Sequence, residues 1–194
     1  MKMRIENIPV KDYIYLSEVR RADYDFAIKY GYFDEQKDIF RVGELTKRNF
    51  GFVKDLQQLY EGADKGGVEF FNELNNILVG ELDITLEGIY NTSVFEYFNF
   101  LKFMSDSVVR VFKIERSLIV YDDGDPLKPD SKRFEKYGYM IQIDSLADGR
   151  VLDYDKVREL PYEIAFGKMM YEKDKVEYNN EYRENVKRKN KHHG

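Results

Sequence analysis

The chain has 194 residues, with 31 Lys and Arg against 36 Asp and Glu, a formal charge of −5, and 43% hydrophobic residues. That suits one domain, or one domain with an appendage, that is apolar enough to bury a core. Having no cysteine, the chain cannot form disulfides, thiolate zinc sites, iron–sulfur clusters or a cysteine nucleophile, and its two histidines, His192 and His193, lie at the very end.

The opening residues lack the apolar core of a signal peptide, and no run of eighteen apolar residues occurs. These features predict a soluble, cytoplasmic protein, in a host cytoplasm or a virion if phage-encoded. Ser17 suits the N-cap of a first helix that carries Val19, Ala22, Phe26 and Tyr30 at helical spacing, with Gly31 closing it. Thr46 is placed to cap a second helix, whose stripe is Phe50, Val53, Leu56 and Leu59 or Tyr60. After the break at 61–67, a third helix is predicted over Val68–Val79, burying Phe70, Phe71, Leu74, Ile77 and Leu78.

Residues 80–91 are ambiguous. Ser93-Val94-Phe95-Glu96 forms a capping box that opens a helix to about Leu118. Val94, Phe98, Leu101, Met104, Val108, Val111 and Phe112 make its broad apolar side, while Lys102, Asp106 and Arg110 line the other. Phe103 and Ile114 fall on the polar side, where they are covered by another segment or await a partner. Strand propensity at Ile119–Tyr121 and Tyr139–Ile143, with turns at Asp122–Pro126 and Asp148-Gly149, predicts a small β-hairpin or extended element within 119–152. Asp153 then caps a short helix to Leu160, and Pro161 suits the first turn of the last helix. In that helix Ile164, Ala165, Phe166, Met169 and Met170 are placed to pack. Beyond Tyr171 it is nearly all polar, which marks a projecting helix. The fold class is therefore mainly α: a helical body over 1–160 with a small β element, and a long polar C-terminal helix with a basic tail over 161–194.

Few catalytic constellations survive inspection. Asp122, Asp123 and Asp125 sit close together as hard-cation ligands would, yet the calcium-loop consensus is absent and Asp and Gly suit turns anyway. Glu81, Asp83 and Glu87 are a second acidic group, and Glu177, Glu181 and Glu184 share a helical face that reads more simply as solvated. Phosphate-loop and nucleophile-elbow patterns are missing. Without histidine in the body, the commonest general base is missing too. These absences predict a protein that is not an enzyme and needs no cofactor.

Residues 183–194 hold Arg183, Lys187, Arg188, Lys189 and Lys191 against Glu184, a net +4, so the rest of the chain carries −9. Such a tail suits phosphates, an acidic neighbour or another copy of the chain. The 16 tyrosines favour protein contacts, and Tyr171, Tyr178 and Tyr182 on the last helix fit that use.

Val53–Tyr60 with Val68–Val79, then Ser93–Leu118, and finally Leu160–Phe166 give a chain that resembles the small morphogenesis proteins of tailed bacteriophages. The resemblance implies a class, non-enzymatic virion or assembly proteins that contact copies of themselves or other structural proteins, and it assigns no residue a role. The leading expectation is an assembly protein that contacts partners through Phe103, Ile114, Tyr171, Tyr178 and Tyr182. The alternatives are a metal-dependent carboxylate enzyme, nuclease-like, on Asp122, Asp123 and Asp125 or on Glu81 and Asp83, and a nucleic-acid accessory protein acting through the 183–191 tail. No membrane role is expected.

Overall fold

The computed structural model describes residues 7–16, 24, 37–62, 68–118, 134 and 136–192. Helices α1 (Val10–Ile14), α2 (Phe50–Gly62), α3 (Val68–Glu81), α4 (Leu86–Asn91), α5 (Val94–Glu115), α6 (Met140–Leu146), α7 (Tyr154–Glu159) and α8 (Tyr162–His192) account for most of them. Among the described residues there is no strand, only isolated bridges pairing Pro9 with Ser93 and Asn49 with Pro161. The predicted first helix lies outside the described residues except for Tyr24, which is helical. The chain forms two compact units, one of residues 1–45 and 52–111, the other of 46–51 and 112–194.

In the first unit, Val53, Leu56, Leu59 and Tyr60 of α2 and Phe70, Leu74 and Leu78 of α3 are buried as their spacing requires, with Phe71 and Ile77 half-buried. Ser93 opens α5 by accepting from the Glu96 amide at 3.4 Å, while its hydroxyl donates to Asn7 Oδ1 at 2.5 Å. The N-terminal segment is pinned there as well: the Val10 amide donates to the Thr92 carbonyl at 2.9 Å and the Val94 amide to the Ile8 carbonyl at 2.7 Å. The buried face of α5 is shifted from the expected stripe: Tyr97 and Phe100 are inside with Val94, Met104, Val108 and Val111, whereas Phe98, Leu101 and Phe112 are half-buried. The ambiguous stretch 80–91 resolves into α4, whose cap is Thr85 accepting from the Gly88 amide at 3.1 Å. A cluster of Val10, Ile89 and Tyr97 packs with Phe40, Phe71 and Leu101. Edge-to-face rings link Tyr60 to Phe70, Phe70 to Phe71, and Phe40 to Phe100.

The second unit corrects two expectations. Thr46 does not cap α2; it lies in a 3-10 turn (Leu45–Lys47), and α2 starts at Phe50, whose amide donates to the Leu160 carbonyl at 2.7 Å. The β element is also not supported. Residues 140–146 are helical, because Ile143 and Ala147 bury together one turn apart, and Val151–Asp153 form a 3-10 turn. Strand propensity over five residues yields to that tertiary burial. The rest of the proposed element, 119–133, lies outside the described residues. The Asp148-Gly149 turn is present: both residues have left-handed φ, 52° and 74°, and the Gly149 amide donates to the Asp144 carbonyl at 2.9 Å.

Candidate functional site

The feature that dominates the second unit is α8, 31 residues long, or roughly 46 Å at the rise of an α-helix. Its first three turns are fastened from several sides. The Tyr162 amide donates to the Arg48 carbonyl at 2.8 Å, and the Tyr162 ring stacks between Phe50 and Phe166 with centroids 6.2 and 6.0 Å away. The Tyr162 hydroxyl donates to Glu115 Oε1 at 2.7 Å, and burial together with that carboxylate pushes the phenol well above the ordinary tyrosine range. Lys47 pairs with Glu163 at 2.7 Å. Lys173 Nζ donates to the Ser117 carbonyl at 2.6 Å, and Ser117 Oγ reaches Met170 Sδ at 3.6 Å. Behind this anchor, Arg158 donates to the Tyr139 hydroxyl and lies close over Gly51, where a Cβ would come within 2.9 Å of Arg158 Cβ.

After Lys173 the surroundings change completely. Every residue from Asp174 to Lys189 is exposed, including Val176, Tyr178 (69% exposed), Tyr182 (62%) and Val186. Among the described residues, no hydrogen bond or ion pair joins this stretch to anything outside the helix; its ion pairs, such as Lys173–Glu177 and Arg188–Glu184, are between successive turns. Such i, i+4 pairs suit a solvated helix but contribute little each. Helices in proteins draw most of their stability from packing one face, which this stretch lacks, so it depends on the anchor to which it is joined.

The structure distributes the expected contact residues unevenly. Tyr171, Tyr178 and Tyr182 are all exposed on α8, and the Lys168 ammonium lies 5.6 Å from the Tyr171 ring. Lys168 also pairs with Glu172 at 2.7 Å, an arrangement that raises the lysine and lowers the carboxyl from their usual values. Ile114 is exposed at the end of α5, whereas Phe103 is half-buried with its ring tilted against Phe100 at 6.3 Å. Ile164, expected to pack, is instead exposed. Arg183, Lys187, Arg188 and Lys189 are exposed along the last turns, with Lys191 in the helix beyond them. Asp122, Asp123 and Asp125 lie outside the described residues. Glu81 ends α3, and Asp83 and Glu87 are exposed beyond it; among the described residues no three His, Asp or Glu side chains are grouped to hold a metal. Glu177, Glu181 and Glu184 are solvated.

Two features escape sequence reading. Tyr171, Lys175, Tyr178, Tyr182, Asn185 and Lys189 alternate at four- and three-residue spacing and so form one continuous seam along α8. That spacing is visible in the letters but is obscured by the lysines within it. The second is a cavity of about 50 Å³ in the first unit, walled by Val10, Tyr13, Phe71, Tyr90 and Phe98, with Asn75 and Tyr97 joined by a 2.7 Å hydrogen bond. Only folding brings those residues together. Among the described residues no helix is long and apolar enough to cross a membrane. Comparison with known proteins adds no relative: no family model matches the chain, and no curated protein or solved structure is similar to it.

Proposed function

We propose that the protein is a non-enzymatic assembly protein that works by protein contacts, of the kind found among phage virion and morphogenesis components, with α8 as its contact element. The observation that carries the reading is the contrast along one helix: an anchor built from Tyr162, Glu115 and Lys173, followed by a stretch exposed on every side that still displays tyrosines. Tyrosine buries a large area at low entropic cost and keeps a polar tip, which suits it to surfaces that are wet until a partner arrives. The anchor supplies a rigid base, so less order has to be created on binding.

A photo-crosslinking residue in place of Tyr178, in the full chain expressed in its native source, tests this. The expected outcome is a protein adduct at position 178, reduced by the distal substitution Tyr182→Glu. Absence of any protein adduct, or adducts with nucleic acid alone, would overturn it.

A further inference from the structure

Resting on that reading, we infer that the partner of the exposed stretch of α8 is a second copy of the same helix, running antiparallel. The ground is charge and spacing. From Glu172 to Glu181 the acids Glu172, Asp174, Glu177 and Glu181 outnumber Lys173 and Lys175, whereas from Arg183 to Lys191 the bases Arg183, Lys187, Arg188, Lys189 and Lys191 face only one acid, Glu184, so the earlier turns are net acidic and the later ones net basic. Two copies side by side in the same direction set net acidic turns against net acidic turns and net basic against net basic. Reversing one copy sets each block against its opposite and also opposes the two helix dipoles.

The seam is its own complement in that reversed arrangement. If residue 180 marks the two-fold axis, Tyr178 of one copy faces Tyr182 of the other, Tyr171 faces Lys189, and Lys175 faces Asn185. The spacing is that of an antiparallel helix pair, and the polar Lys175, Asn185 and Lys189 within it fix register at a cost in stability. Ring meets ring at the centre, and an ammonium meets an aromatic face at each end. Beside the seam, Asp174 of each copy meets Arg188 of the other. Glu181 meets its own counterpart near the axis, a like-charge contact that weakens the pair and sets a further expectation. None of the seam side chains from Lys175 to Lys189 is covered in the single chain.

The test uses the full chain in sedimentation equilibrium, with single-cysteine variants for spin labelling, which the cysteine-free sequence makes simple. Wild type is expected to dimerise. Asp174→Arg is expected to weaken the dimer at least tenfold, and the double exchange Asp174→Arg with Arg188→Asp to restore it to within about threefold of wild type. Glu181→Gln is expected to tighten it. Labels at Asn180→Cys sit level with each other across the axis, whereas labels at Lys187→Cys are separated along it by an additional ~21 Å, from a rise of about 1.5 Å per residue. A monomer at all concentrations overturns the inference. So does a dimer that ignores the charge exchange, or one whose label separation is equal at both sites. If a monomeric chain still gives the position-178 adduct with a different protein, self-pairing fails while the contact reading stands; if no adduct forms, both fail.

Discussion

The two parts of α8 are built from the same backbone and even the same residue type, yet they obey different physics. Tyr162 is buried, stacked and hydrogen-bonded to Glu115, whereas Tyr178 and Tyr182 are more than half exposed, with no such partner. What separates them is context: Phe50, Phe166 and the Leu160–Phe50 backbone bond enclose the former, and only helix surrounds the latter. A tyrosine count therefore cannot distinguish a core from a contact surface; position relative to the anchor does.

Substitution at the anchor sharpens this contrast most. Tyr162→Ala removes a fully buried ring and is expected to cost about 3–5 kcal/mol in denaturant unfolding, while Tyr178→Ala, measured on dilute protein, stays within about 0.5 kcal/mol. Equal effects would erase the distinction. Gly51→Ala comes next, since its Cβ would crowd Arg158 Cβ at 2.9 Å; the expected loss is about 1–3 kcal/mol in the same assay. Arg158→Ala, combined with it, keeps that Cβ but removes the Nε and Cζ that would lie 3.1 and 3.2 Å from the added methyl, and should recover part of that loss.

The Tyr162–Glu115 bond sets a smaller, pH-dependent effect. Tyr162→Phe is expected to cost about 1–2 kcal/mol near neutrality. Burial, with Glu115 adding for Tyr162, raises the phenols of Tyr60, Tyr97 and Tyr162. From pH about 10 upward the unfolded chain therefore loses tyrosine protons that the folded chain keeps, and stability falls as pH rises. Tyr162→Phe should flatten that alkaline decline. The smallest effect belongs to Lys168–Glu172, an exposed pair in which hydrogen bonding to Lys168 lowers the carboxyl. Its contribution is present at neutral pH and is lost as pH falls through the lowered carboxyl range, which circular dichroism would record as a slight fraying of α8 absent in Glu172→Gln.

Helices with strong local signals were legible in the letters. Val68–Glu81 has a regular apolar stripe, and Ser93 provides its own stop and start for α5. Thr46 misleads because a hydroxyl four residues ahead of an apolar run resembles a cap, whereas the Phe50 amide donates to the carbonyl of Leu160, more than a hundred residues away. Met140–Leu146 misleads for the opposite reason: its β-branched residues favour a strand locally, but Ile143 and Ala147 bury only when one helical turn apart. The exposure of α8 was foreshadowed by its polarity. The anchor that holds it was not, because Tyr162, Glu115 and Ser117 meet only through folding.

The division of α8 into an anchored base and an open contact stretch is read out by its hydrogen exchange as a function of protein concentration. Amides from Asp174 to Lys189 are expected to exchange quickly in dilute solution and to gain protection as concentration rises, while those around Tyr162–Phe166 remain constant. Protection that is uniform along α8, or that does not change with concentration in the exposed stretch, would contradict it.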